Sequence, residues 1–247
     1  MDMRVRLTLA YDGTGYNGWQ IQKDGLTIQG EVEKALSRIC SASIRLHGSG
    51  RTDAGVHALG QVAHFDPPQG LLNVPWDRAL NALLPPDIRV LDFARTDREF
   101  HARFSARAKK YSYTLWTEKA FFYPQRRNFV WNTGPLDLAA IQDGAQCLLG
   151  SHDFSSFMNK GTEIRDTVRT VLDICMVPGL TSRETVIFIE AGGFLKQMAR
   201  NIVSALVHIG RKKISCRDLE YVLKSRDRSL APATAPARGL CLEHVTY

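Results

Sequence analysis

The sequence predicts an α+β fold built from two split β-α-β subdomains, ferredoxin-like or RRM-like, with a mainly antiparallel sheet. Two observations predict it. The chain has 247 residues, 44% of them hydrophobic, which is enough to bury a substantial core. Its hydrophobic patterns run β-α-β-β-α-β in the first half and repeat that order in the second. We therefore expect an N-terminal subdomain over 1–105, a C-terminal one over 106–247, and a cleft between them that holds a site.

The elements of the first half follow from local patterns. Residues 4–11 alternate between apolar and polar, which is the period of a half-buried strand. From Ile28 the apolar positions mark one face of a helix. Pro75 suits the first turn of a second helix, which we expect to reach about Leu84. Further strands are predicted at 44–47, 61–65 and 88–94, and the first two of these flank a glycine-rich loop.

The second half gives strands at 111–116, 167–176, 185–191 and 239–247, and helices at 137–149 and 195–209. An additional helix is expected after Ser215, because Ser215 and Asp218 have the spacing of a capping box. An extra strand is possible near Phe129. Residues 229–236, rich in Ala and Pro, have no period and are expected to carry the chain to its last strand.

Composition limits the class of protein. With 32 Lys and Arg against 25 Asp and Glu, the formal charge is +7 and the pI about 9.3, which favours an anionic partner. No apolar run approaches the roughly 20 residues of a membrane helix, so we expect a cytoplasmic protein. The five cysteines stand singly, without the spacing of a zinc site or disulfide framework, and are interpreted as packed thiols.

The loop 48–58 carries the candidate chemistry. Its glycines permit close approach of a ligand, and Arg51 and Asp53 flank Thr52, so a guanidinium and a carboxylate are presented together. The alternative is that Asp53 only accepts hydrogen bonds from loop amides. His57 and His64 suggest a metal or acid–base site, but they fall on a loop and a strand with no Cys or carboxylate at ligand spacing. We therefore expect ordinary hydrogen-bonded histidines and no metal.

Short blocks along nearly the whole chain, in the same order, resemble the tRNA pseudouridine synthase A family. Within the loop the match is Arg51-Thr52-Asp53-Ala54-Gly55-Val56-His57-Ala58. The other blocks are 11–14, 16, 18–20, 60–62, 64–66, 81–85, 87–88, 90, 100–106, 110–113, 152–154, 157, 194–195, 198 and 200–203.

The resemblance implies an isomerase that converts uridine to pseudouridine at positions 38, 39 and 40 in the anticodon stem-loop of tRNA. Asp53 is then the nucleophile, whether at C1′ or at the base ring, and Arg200 stabilises its charged form. Tyr111 lies over the base and helps to remove the C5 proton; the alternative for Tyr111 is a tyrosine packed in a strand. No redox step, metal or nucleotide cofactor is needed.

Arg51 has two interpretations. It either holds a phosphate or fills the space that a flipped uridine leaves, and the resemblance supports the second.

Basic residues, Arg103, Lys109 and Lys110 among them, are candidate contacts to the RNA backbone. Residues 211–213 either do the same or complement a helix end. The resemblance further implies a homodimer, with the tRNA lying across both subunits.

Two other classes of protein share some of these features. An RNA-binding module has split β-α-β units and a basic surface but does not require Asp53. A metal-dependent nuclease could use Asp53, Asp66 and His57, and its cleavage of RNA would be abolished by a chelator.

Overall fold

The computed structural model describes residues 3–121, 123–159, 161, 164 and 166–247. It confirms the α+β class, since its helices accompany strands that pair mainly in antiparallel. The chain divides into two compact units, unit 1 (Met1–Arg107 with Cys241–Tyr247) and unit 2 (Ala108–Leu240). No helix in the described ranges is long and apolar enough to cross a membrane.

The strands are β1 (Arg4–Tyr11), β2 (His47–Gly48), β3 (His57–Phe65), β4 (Ile88–Thr96), β5 (Ala108–Trp116), β6 (Trp131–Asn132), β7 (Gly150–Asp153), β8 (Val168–Pro178), β9 (Glu184–Ala191) and β10 (Leu240–Thr246). The helices are α1 (Ile28–Cys40), α2 (Trp76–Asn81), α3 (Leu138–Gln146), α4 (Met198–Gly210) and α5 (Cys216–Ser225).

Unit 1 is built around the order β4-β1-β3, all antiparallel. The edge of β3 is shared by two short partners. Near its end, His64 and Ala63 pair with β2 in antiparallel, and at its start His57 and Ala58 pair with β10 in parallel. On one face of the sheet, Phe65 packs edge-on against Trp76 of α2, with ring centroids 4.8 Å apart, and both are buried. The Asp53 loop therefore enters β3 at the point where β10 pairs with it.

The C-terminal strand lies elsewhere than we expected. We expected residues 239–247 to belong to the C-terminal subdomain. Residues 241–247 instead belong to unit 1, where Cys241 and Leu242 pair with β3. Alternating apolar residues show that a segment is half-buried, but they carry no information on which sheet receives it.

The strand predicted at 44–47 shortens to the pair His47–Gly48. Its apolar residues are buried as expected, but the backbone of Leu46 is hydrogen-bonded to side chains of α1 instead of a strand. Leu46 N–H donates to Glu33 Oε1 at 2.9 Å, and its carbonyl accepts from Gln29 Nε2 at 2.9 Å. Those two bonds occupy the groups that a strand partner would otherwise need.

Unit 2 contains the order β5-β9-β8-β7, again antiparallel, with β6 beside β5 in parallel. The capping box at Ser215 and Asp218 is confirmed at the start of α5. The possible strand near Phe129 is found two residues later, as β6. Helix α4 begins at Met198 instead of residue 195, because Gln197 takes a left-handed conformation with φ of 61°. Strand β7 was not predicted, since its four residues, Gly150–Asp153, have no apolar alternation.

Candidate active site

Asp53 lies half-buried in the loop that leads into β3. It is preceded by the exposed Arg51 and the buried Thr52, and it is followed by a turn. The turn is closed by Val56 N–H, which donates to the Asp53 carbonyl at 3.1 Å. The Asp53 backbone is therefore held on both sides, while its neighbour Arg51 extends toward solvent.

The loop rests directly on the backbone of the segment after β1. Trp19 N–H donates to the Thr52 carbonyl at 3.0 Å. A Cβ on Gly18 would lie 2.5 Å from that same carbonyl oxygen, and Gly18 has φ of 86°. A Cβ on Gly13 would overlap the Val56 carbonyl. These two glycines are needed because two stretches of main chain touch there.

A buried polar network lies beneath the loop. Tyr11 Oη is 2.9 Å from Thr52 Oγ1, and the pKa of Tyr11 is raised because its phenol is buried. The Gln61 amide donates from Nε2 to the Gly50 carbonyl at 3.0 Å and accepts at Oε1 from Ser49 Oγ at 2.7 Å. These side chains anchor the loop immediately before and after Arg51, which leaves little freedom in the approach to Asp53.

Arg51 is joined to the core of unit 1 by a chain of side-chain amides. Arg51 Nε donates to Gln20 Oε1 at 3.2 Å, and Gln20 Nε2 donates to Gln29 Oε1 at 2.6 Å. Gln29 in turn donates from Nε2 to the Leu46 carbonyl and to Glu33 Oε1, at 2.9 and 2.8 Å. We call Gln20 and Gln29 the amide relay.

The direction of every hydrogen bond in the amide relay is determined by its two ends. A carbonyl and a carboxylate only accept, so Gln29 must present Nε2 to them and Oε1 to Gln20. Gln20 must then present Nε2 to Gln29 and Oε1 outward. A guanidinium only donates, so the outward oxygen matches Arg51. The relay engages Nε and thereby sets the direction of the guanidinium.

His57, His64 and Asp66, which the sequence offered for a metal or nuclease site, each have their own hydrogen-bond partners. His57 Nδ1 is buried, 3.1 Å from Asp12 Oδ1 and 3.2 Å from Gly13 N. Asp66 is paired with Arg4 through two bonds of 2.8 and 2.9 Å, which lower the pKa of the Asp66 carboxyl. His64 Nδ1 accepts from a backbone amide, as expected of a hydrogen-bonded histidine. Within the described part of the chain, no group of three His, Cys, Asp or Glu is arranged to hold a metal ion.

Tyr111 is in the middle of β5, opposite Ile189 of β9, and is buried. Its ring meets Phe194 edge-on, with centroids 4.9 Å apart. This contact holds the plane of the Tyr111 ring. The role of the hydroxyl in proton removal stays a prediction.

Arg200 is in the first turn of α4, and its Nε donates to the Ala235 carbonyl at 2.8 Å. The next carbonyl, that of Pro236, accepts from Tyr113 Oη at 2.7 Å. Burial raises the pKa of Tyr113, and the nearby charges of Arg200 and Arg238 oppose that rise. Arg200 is thus oriented by the segment 231–236, which we call the proline strap.

Polar side chains of α4 hold the remainder of the proline strap. Ser204 Oγ donates to the Ala233 carbonyl at 2.6 Å, and Thr234 Oγ1 donates to Asn201 Oδ1 at 2.8 Å. Arg228 Nη2 donates to the same Asn201 oxygen at 3.1 Å. From its composition we expected this segment only to connect two elements. A signal for it existed in the four-residue spacing of positions 200 and 204, which places two polar side chains on one helix face.

The predicted RNA contacts are distributed over both units. Arg103 is exposed in unit 1, and its Cζ is 5.7 Å from the centroid of the Phe104 ring. Lys109 and Lys110 are half-buried in β5, and successive residues of a strand point to opposite faces. Lys110 Nζ lies 4.9 Å from the Phe188 ring. Lys109 is two residues from Tyr111 and shares the opposite face of β5 with it. The two lysines therefore do not form one contiguous patch.

Of the seven predicted site residues, Arg51, Asp53 and Arg103 belong to unit 1, and Tyr111, Arg200, Lys109 and Lys110 to unit 2. Groups to which the sequence assigned no role at the site hold these residues. They are the side chains of the amide relay and Gln61 in unit 1, and the backbone of the proline strap in unit 2. Amides have no periodic pattern of their own, so hydrophobic period did not reveal Gln20, Gln29 and Gln61.

The chain is similar to proteins of known family over most of its length. Residues 8–105 and 145–247 match a family model described as tRNA pseudouridine synthase. A tRNA pseudouridine synthase A of Maridesulfovibrio salexigens is 53% identical over 244 residues, which are 99% of this chain and 90% of the relative. One of Solidesulfovibrio magneticus is 49% identical over 249 residues, with 99% and 91% covered.

Among solved structures, the chain is similar to one in the crystal structure of the archaeal box H/ACA sRNP Nop10-Cbf5 complex, with a TM-score of 0.36 and 12% sequence identity. The match covers 97% of this chain and 48% of the other, so this chain spans about half the length of that one.

Proposed function

We propose that this chain, which belongs to the tRNA pseudouridine synthase family, converts uridine to pseudouridine at positions 38, 39 and 40 of the tRNA anticodon stem-loop. The observation that carries the proposal is the Asp53 loop. It presents a half-buried carboxylate beside an outward arginine, and the buried network of Tyr11, Thr52 and Gln61 supports it from below.

The reaction is an isomerisation, in which nothing is added to or removed from the nucleoside. The N1–C1′ bond breaks, the base turns, a C5–C1′ bond forms, the C5 proton leaves, and N1 takes up a proton. In our proposal the ionised Asp53 is the nucleophile, and Arg200 stabilises its charge. Tyr111 lies over the base, where its phenol helps to remove the C5 proton.

A uridine in a paired stem must leave the helix before it can react, and the vacated space destabilises the stem until something fills it. We assign that role to Arg51. Its guanidinium is exposed, and the amide relay holds it by Nε, so that four N–H donors on the two Nη atoms remain for the RNA. Arg103, Lys109 and Lys110 supply phosphate contacts in this proposal, and the functional form is a homodimer with the tRNA across both subunits.

Tritium release tests this function. The purified protein is incubated with chelator and with tRNA transcripts tritiated at uridine C5, and tritium in water is counted. We expect release by the wild type and none above background by Asp53→Asn, which is nearly isosteric but cannot supply a carboxylate. The Asp53→Asn variant should bind the same tRNA within about twofold of the wild type, since it removes one charge and no phosphate contact.

The outcomes separate the three classes of protein. Tight, salt-sensitive tRNA binding with no tritium release in the wild type favours the RNA-binding module. Cleaved strands that disappear with chelator favour the nuclease. Loss of binding in Asp53→Asn in proportion to loss of release would assign Asp53 a structural role.

A further inference from the structure

The most exposed aromatic side chain in the described part of the chain is Phe104, which lies between β4 and β5 with 76% of its surface in contact with solvent. A single exposed apolar residue is ordinary on a protein surface. Phe104 differs because its ring is held in place by two neighbours in unit 1. The His101 ring lies 4.3 Å from it between centroids, tilted by 34°, and Arg103 Cζ lies 5.7 Å from its centroid.

The turn beneath the ring is rigid. His101 Nδ1 accepts from the backbone N–H of Arg103 at 3.1 Å and from that of Phe104 at 3.3 Å. His101 also contacts His64 edge-on, with centroids 4.7 Å apart, and His64 is buried. The exposed ring is therefore the outer member of a chain of aromatic contacts that begins in the sheet of unit 1. Little conformational entropy is lost when a ligand covers it.

The histidines under Phe104 act as neutral rings at neutral pH. Burial and the neighbouring charges lower the pKa of His101, and burial lowers that of His64 to about 3. Arg103 is then the cation that accompanies the exposed ring. An exposed aromatic ring beside one guanidinium fits a partner that offers a flat π-face and an anion a few ångströms apart.

A nucleotide has that composition, because its base stacks on aromatic rings and its phosphate pairs with arginine. We propose that Phe104 and Arg103 form a stacking site for one unpaired nucleotide of the tRNA substrate, other than the uridine that reacts. The base lies on the exposed face of Phe104, and Arg103 contacts the adjoining phosphate. This inference rests on the proposed function and adds a second point of contact with the same RNA.

The two residues have distinguishable signatures in binding experiments. Stacking is insensitive to salt, whereas each phosphate contact contributes about 1 to the slope of log K against log salt. We expect Phe104→Ala to weaken tRNA binding at least about fivefold with an unchanged slope, and Phe104→Trp to restore it. Arg103→Ala should weaken binding and reduce the slope by about 1.

Tyr221→Ala is the matched control, since Tyr221 is 66% exposed on α5 in unit 2. It should bind tRNA as the wild type does. Melting temperatures of all variants verify that each is folded, and tritium release by the wild type is measured alongside. No release by the wild type would count against the proposed function, whatever the binding results.

Two results would overturn the stacking site while the proposed function stands. One is binding by Phe104→Ala that equals the wild type at every salt concentration. The other is a lower mass of Phe104→Ala than of the wild type in sedimentation without RNA, which would make this surface a contact between two copies of the chain.

Discussion

Replacing Gln20 by methionine tests whether the amide relay guides Arg51 into the RNA stem. Methionine has nearly the same length but neither donates nor accepts the relay's hydrogen bonds. Gln20→Met therefore removes the bond to Arg51 at 3.2 Å and the bond to Gln29 at 2.6 Å, while the backbone of the loop keeps its own anchors.

The magnitude of the effect follows from the hydrogen bond between Arg51 and Gln20. It is a single hydrogen bond at a solvent-exposed guanidinium, which contributes roughly 0.5–1.5 kcal/mol. If that energy orients Arg51 in the step that extrudes the uridine, its loss lowers the rate by about 2- to 12-fold, since about 1.4 kcal/mol is tenfold. The chemical step itself does not involve Gln20.

Two substrates separate extrusion from chemistry in a single-turnover tritium-release assay. One is an anticodon stem-loop with the target uridine paired, and the other has a mismatch opposite that uridine. Gln20→Met should lose rate on the paired substrate and remain within about twofold of the wild type on the mismatched one, where extrusion costs less.

Gln22→Met is the control for this experiment. Gln22 lies two residues away in the same segment and donates to the Asn17 carbonyl at 2.6 Å, with no link to Arg51. It should match the wild type on both substrates. Equal losses by Gln20→Met on the paired and the mismatched stem would refute a role for the relay in extrusion.

The remaining predictions concern stability. Tyr11→Phe removes a buried hydroxyl and leaves Thr52 Oγ1 without that partner, so urea unfolding should show a loss of about 1–3 kcal/mol. For His64, burial first and then the charge of Arg4 lower the pKa to about 3. The unfolded imidazole gains a proton below about pH 6.5 while the folded one stays neutral. The contribution of His64 to the free energy of unfolding should therefore be constant above that pH. Between about pH 6 and 4 the free energy of unfolding should fall by up to about 1.4 kcal/mol for each pH unit.

Both stability predictions have controls. Tyr221→Phe, at an exposed position, should change stability by less than about 0.5 kcal/mol. His64→Asn keeps an acceptor for the backbone amide but cannot titrate, so its unfolding energy should fall less steeply in the same pH range. The low pKa of Asp66 contributes only at more acidic pH. A wild type and a His64→Asn variant with the same pH profile would contradict the role of His64.

Local pattern was sufficient for the elements whose signal lies in the side-chain types of a few neighbouring residues. The alternation of β1, the helix from Ile28 and the capping box of α5 are all found where the sequence placed them. Each depends on the period of a few residues or on a cap within four residues of a helix start.

Segments that are held by polar side chains were predicted less well. Residues 44–46 are not in a strand, because Gln29 and Glu33 of α1 hydrogen-bond the backbone of Leu46. The proline strap has no period because Asn201 and Ser204 of α4 hold it in place of a sheet. In both segments the partner is a polar side chain, and hydrophobic period cannot detect one.

The candidate site divides in the same way. The motifs predict Arg51, Asp53 and Arg200 as site residues, whereas Gln20 and Gln61 fall within motifs that imply no role for them. Their importance lies in the direction in which each amide donates, and that direction is determined by the carbonyl at the far end of each contact.

The position of β10 has a consequence for the synthesis of the protein. Proteins are made from the N-terminus, and early regions generally begin to fold first. The strand that pairs with His57 and Ala58, next to the Asp53 loop, is made only after the residues of unit 2. Gly60 lies so close to it that a Cβ there would overlap the Glu243 carbonyl. The start of β3 therefore lacks this partner until residues 241–247 have been made, and a chain without them lacks the complete support of its own candidate nucleophile.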